Sequence, residues 1–262
     1  MPLIVVAPHS AIVTAINSFN PRYHHDYHSV KGLATPYLAA PTEANAALLA
    51  EALETVLINW GAGSRKAPSV RALPALIATL LNPTFHASLL GFTSGALATL
   101  TVVNDYDRMV GGSAAAAHCT EFDTRFLSVL SDISALFLIG NTNVTYPMKV
   151  LLLLTGFMPA LDSQVRQGLS SAGFVGTSAT QFLMPVGRDS LRARKLTRLP
   201  FYLGECFAAN KALLTGAAAD SHYPWLVHEP GRLFDILLFM QGSGAASLLR
   251  FAPRVRSWHA LP

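Results

Sequence analysis

The chain has 262 residues, 51% of them hydrophobic and only 13% charged, with a formal charge of +4. That length suits one large domain or two lobes sharing a core, and so little charge excludes a long solvated tail. The mild basicity permits a polyanionic partner without requiring one.

At the N-terminus, residues 3–7 alternate like a short strand, and MPLIVVAPHS lacks the basic stretch and apolar length of a secretory signal. HHDYHS then groups His24, His25, Asp26 and His28, side chains of metal-ligating type. Crowded behind Pro21, they are expected in a surface loop, and no metal or other cofactor is expected. Thr42 is placed to cap a helix that runs through Trp60 and stops at Gly61. Leu48, Leu49, Leu53, Val56, Leu57 and Trp60 recur along it at helical spacing. Further helices are expected over 69–81 and 85–102. The uncharged stretch 72–104 is broken by Pro74, Pro83, Gly91 and Gly95, so it reads as core helices rather than a membrane span.

After Gly111 and Gly112, a strong helix is expected from Thr120, with Phe122, Phe126, Val129, Leu130, Ile133, Phe137 and Leu138 on its apolar face and Gly140-Asn141 as its stop. Helices follow over 146–155 and after Asp162, then a loop rich in Gly, Ser and Thr over 170–180 and a strand-like 182–187. A helix over 200–215 and another opening at Pro230 complete the chain. Period-two alternation is scarce and there is no internal repeat. The expected fold is all-α and two-lobed, with a helical lobe over 1–118, a second lobe over 119–262, and one core shared between them. The two cysteines, Cys119 and Cys206, lack disulfide-framework or metal-site spacing and are expected as buried thiols.

Two segments carry chemistry. RDSLRARKLTR (188–198) concentrates Arg188, Arg192, Arg194, Lys195 and Arg198, and the C-terminal stretch adds Arg250, Arg254, Arg256 and His259. Forked guanidinium groups suit phosphate oxygens, although a solvated charged loop explains such a run equally well. In YPMKVLLLLTGFMPALDSQVR (146–166), Lys149 falls in the first turn of a helix, where the helix dipole disfavours a cation. The dipole and the apolar residues at 150–154 would lower its pKa and leave more free amine. Asp162 is a natural N-cap, and an N-cap carboxylate at the mouth of a cleft could also stabilise a developing cation or orient a water. Asp235 sits among Leu233, Phe234, Ile236 and Leu237, so it needs a partner if buried.

The residues MKVLLLL…MPALDSQV resemble the catalytic segment of the helix–hairpin–helix DNA glycosylases, in particular the 8-oxoguanine DNA glycosylase branch and its small bacterial relatives. Lys149 matches the family's lysine and Asp162 its aspartate, and PGRLFDILLFMQG (230–242) is similar to the helix that packs behind the site. The resemblance implies a protein that bends double-stranded DNA, flips out a nucleotide and cleaves its N-glycosidic bond. Asp162 and Lys149 would be catalytic, with lyase activity if Lys149 attacks the sugar. Tyr146 and Phe157 would stack on the base, and Asp123 or Asp235 would read its edge. The family's Gly-x-Gly turn before the lysine is missing. Side chains of Asn141, Thr142, Asn143 and Thr145, or the basic segment 188–198, would have to grip phosphate instead. No four-cysteine cluster pattern is present.

The implied role is base-excision repair or defence against phage whose DNA carries modified cytosine, such as glucosylated hydroxymethylcytosine. The implied setting is the bacterial cytoplasm, at the nucleoid, with no membrane and no obligate protein partner. Two other readings stay open: a non-catalytic DNA-binding protein on the same scaffold, and an all-α interaction protein in which Lys149 and Asp162 are structural.

Overall fold

The computed structural model describes residues 2–64, 66–103, 107–174, 176 and 182–252. Arg254, Arg256, His259 and part of the 170–180 loop lie outside the described residues. The described chain is mainly helical, as its sequence pattern requires: α1 (His9–Ser18), α2 (Pro21–Ala39), α3 (Glu43–Asn59), α4 (Leu73–Leu80), α5 (Pro83–Leu89), α6 (Ser94–Leu97), α7 (Ala116–Phe137), α8 (Thr145–Thr155), α9 (Ser163–Ser171), α10 (Leu191–Ala209), α11 (Lys211–Ala219) and α12 (Pro230–Gly242). A 3-10 helix (Pro224–His228) precedes α12. Among the described residues no helix is long and apolar enough to cross a membrane. Cys119 and Cys206 are both buried thiols.

One hydrophobic core collects side chains from Leu3 to Phe251. Residues on both sides of position 118 contribute to it, and that position falls in the first turn of α7. The chain ends meet where β1 (Leu3–Val5) pairs antiparallel with β6 (Leu249–Phe251). Helices α9 and α12 cross at backbone contact. A Cβ on Gly168 would strike the Leu238 carbonyl, and one on Gly242 would strike that of Gln164, so glycine at these positions permits the close approach.

Several elements depart from expectation. Residues 69–81 split into strand β2 (Ser69–Val70) and α4, and 85–102 splits into α5, α6 and strand β3 (Leu100–Val103). The β-branched pair Val102 and Val103 pairs with β4 (Asp107–Val110) instead of extending a helix. Helix α7 starts before Thr120 and ends before Leu138, because β5 (Leu138–Ile139) pairs with β2. Residues 182–187 form only one isolated bridge, Leu183 with Asn143. The 200–215 helix is two helices broken at Asn210, and the first begins at Leu191, so Arg192, Arg194, Lys195 and Arg198 are helical. Residues 24–28 are not a surface loop. Pro21 occupies the first turn of α2, where its missing amide costs nothing, and Asn20 caps the Arg22 amide.

Candidate active site

Helix α8 is buried along most of its length, from Pro147 to Thr155, and Gly156 ends it in the left-handed conformation, φ 71°. The chain then turns through residues 157–161 to reach α9. Leu161 takes φ 49°, the one positive value at a non-glycine residue among those described. Such a conformation costs on the order of 1–2 kcal/mol and persists only where surrounding bonds impose it. Two do so here. The Ala160 amide donates to Asp235 Oδ1 at 2.8 Å, and Thr145 Oγ1 donates to the Leu161 carbonyl at 3.2 Å. They deliver Asp162 to the N-cap of α9, where its Oδ1 accepts the Val165 amide at 2.9 Å. The cap is worth about 1 kcal/mol.

Lys149 comes to the same place from α8. It lies past the first turn, so burial rather than the helix dipole dominates its environment. It is only 9% exposed, its Nζ donates to the Trp60 carbonyl at 2.7 Å, and it stands 4.6 Å from the Tyr146 ring centroid. Burial lowers the Lys149 pKa, while Asp162 and Asp235 pull it back up. A lysine so placed holds more free amine at neutral pH than an exposed one.

Lys149 and Asp162 line one small cleft of about 60 Å³, together with Arg232 and Asp235. Aromatic rings form its walls. Tyr23 meets Trp60 edge to face at 5.9 Å, and Phe19 meets Phe239 likewise at 5.2 Å. The Arg232 guanidinium is held by Asp235 Oδ2 at 2.5 Å and the Tyr23 carbonyl at 2.8 Å, and lies 5.0 Å from the Phe19 and Tyr27 rings. Its Nε is buried without a hydrogen-bond partner among the described residues. Burial holds the Asp235 carboxyl above the usual range, although Arg232 opposes the shift. Walls of this kind suit a flat, uncharged heterocycle, because stacking is favourable on any ring face.

The structure thus brings together Lys149, Asp162 and Asp235, with Tyr146 against the lysine. Other expected site residues lie elsewhere. Phe157 is fully buried in the core, its ring 5.3 Å from Phe92 and 5.9 Å from Phe126. Asp123 forms a two-point ion pair with Arg108 at 2.5 and 2.8 Å. In the hairpin between α7 and α8 several donors are bonded within the fold, while Asn141 Oδ1 and Asn143 Oδ1 are buried without a partner among the described residues. Asn141 Nδ2 donates to Ser134 Oγ and the Asn143 carbonyl, and the Val144 amide donates to the Phe182 carbonyl. Thr145 is committed to Leu161, while Thr142 is exposed.

Phe19, Tyr23, Trp60, Phe239 and Arg232 are cleft residues that sequence reasoning missed. Only Arg232 had a local signal, a lone cation three positions before Asp235 in an apolar helix. The histidine segment supports the cleft from behind. Asp26 Oδ2 accepts the Trp60 indole N–H at 3.0 Å, and His24 stacks on Tyr223 at 3.6 Å. No three His, Cys, Asp or Glu side chains among the described residues come together to hold a metal ion. Compared with protein-family models, curated proteins and solved structures, the chain matches none.

Proposed function

We propose that the protein is a DNA N-glycosylase. The observation that carries the reading is one aromatic-walled cleft holding both a buried lysine of lowered pKa and an N-cap carboxylate. A nucleotide flipped from the duplex inserts its base between the Tyr23, Trp60 and Phe239 rings. The C1′–N bond breaks and the base leaves with the bonding electrons. Asp162 stabilises the cationic sugar, then takes a proton from the water that attacks C1′, which leaves an abasic deoxyribose. Where the neutral Lys149 amine attacks C1′ instead and displaces the base, the C1′–O4′ bond opens to leave a Schiff base and a 4′-hydroxyl, and strand breakage can follow. Asp235 and Arg232 hold the 160–162 turn and present polar atoms to the base.

Oxidised bases and the glucosylated cytosines of phage DNA are the substrates to try first, for repair and defence respectively. The test is the count of aldehyde-reactive sites after incubation with ordinary, oxidised and glucosylated DNA, with and without borohydride. Base release is expected from at least one of these DNAs, with borohydride trapping only where Lys149 is present. No release from any of them, by folded protein, overturns the proposal.

A further inference from the structure

Helix α10 presents one face on which Lys195, Arg198 and Tyr202 recur at helical spacing beside Arg194. Its first turn holds no acidic residue, and its Arg192 and Arg194 face the unfavourable end of the helix dipole. No carboxylate among the described residues pairs with Arg192, Arg194, Lys195 or Arg198. Stability alone does not favour this arrangement.

The same face borders a groove of about 350 Å³ whose other side is aromatic, at the lower end of the roughly 300–1,000 Å³ range of small-molecule sites. Phe174 stacks on Phe251 at 5.3 Å, and Tyr202 meets Phe251 edge to face at 5.4 Å. Phe174 and Tyr202 are only half-buried. Cations alone would suit the outside of a duplex. Rings beside them can be used only by a base whose face is free. Phe174 and Lys195 also line a smaller cavity bounded by Leu161, the residue next to Asp162. The groove therefore adjoins the turn that carries the candidate catalytic carboxylate.

We propose that this groove holds an unpaired stretch of DNA strand, its phosphates on Arg194, Lys195 and Arg198 and a base stacked on Tyr202 or Phe174. The inference rests on DNA being the ligand, as under the proposed function, but not on base release. The test is fluorescence anisotropy with a labelled oligothymidylate across a range of KCl concentrations. It compares wild type, Arg194→Gln with Arg198→Gln, Tyr202→Leu, and Asp162→Asn, each checked for its melting temperature.

Wild type should bind more weakly as salt rises. The double charge variant should lose about tenfold in affinity, with a salt dependence shallower by roughly 1.4, or about 0.7 per phosphate contact. Tyr202→Leu should lose roughly tenfold with the salt dependence unchanged, and Asp162→Asn should bind as wild type does. Unchanged affinity in both groove variants overturns the proposal. So does equal binding of inorganic polyphosphate or polyglutamate with no effect of Tyr202→Leu. Groove-dependent binding by a wild type that releases no base would sink the glycosylase reading and leave the groove standing. Base release with groove variants unaffected would do the reverse.

Discussion

Replacing Asp235 with asparagine tests how the cleft is held. Its carboxylate meets the Ala160 amide through one oxygen and Arg232 through the other. Aspartate and arginine are 4% and 1% exposed. Asparagine keeps the shape and an acceptor for Ala160 but removes the charge that neutralises the buried guanidinium. Breaking a buried pair from one side costs about 3–5 kcal/mol. Burial already raises the Asp235 pKa, so part of the pair's attraction is spent on desolvation, and we expect the lower end, about 3 kcal/mol. For a chain of this size that lowers the melting temperature by roughly 6–12 °C, read by circular dichroism. Arg232→Met combined with Asp235→Leu removes both charges and should recover most of the loss. A single Asp235→Asn variant melting within about 2 °C of wild type would refute the reasoning.

His24 supplies a pH test. Burial, the largest cause, and Arg232 lower its pKa to about 4 from 6.5, against a hydrogen bond to Ile16 that raises it. Below pH 6.5 the unfolded chain takes up a proton that the folded chain refuses. Stability should therefore be full above pH 6.5 and fall by about 3 kcal/mol towards pH 4. His24→Phe should flatten that fall in urea titrations at pH 7 and 5, and an unchanged fall would acquit His24. Gly156→Ala would force a side chain into the left-handed position, against Glu229 and Ser94. A loss of at least about 1–2 kcal/mol is expected in the urea midpoint, with the slope unchanged. Thr145→Val removes the bond to the Leu161 carbonyl, worth about 1 kcal/mol. Single-turnover base release should slow several-fold while DNA affinity holds. Equal slowing of both would mean that Thr145 serves binding instead.

What could be read from the sequence was what short-range chemistry encodes. Thr42, Asp162 and Pro230 announced helix starts, because a cap or a first-turn proline needs only its neighbours, and Gly61 announced a stop, whereas α7 ends at Phe137 with β5 between it and Gly140. The strand at Leu3–Val5 was legible from its alternation, but the other two ribbons were not, because Leu100 finds Val110, and Ser69 finds Ile139, only after the chain has folded. Pro21 stands in a helix first turn, where proline is tolerated, and the histidine segment behind it is helical rather than the expected surface loop. Lys149 and Asp162 were legible together because one short turn joins their helices. The cleft walls were not. Phe19, Trp60 and Phe239 come from three distant elements, and each alone looks like an ordinary core aromatic.

The most direct test of the central claim is single-turnover base release by wild type and Asp162→Asn, measured beside their melting temperatures. Asparagine caps a helix about as well as aspartate, so the fold should survive the change. The account predicts melting within a few degrees of wild type and a loss of release of at least about a hundredfold. Equal release by both proteins would show that the Asp162 carboxylate is a helix cap and nothing more.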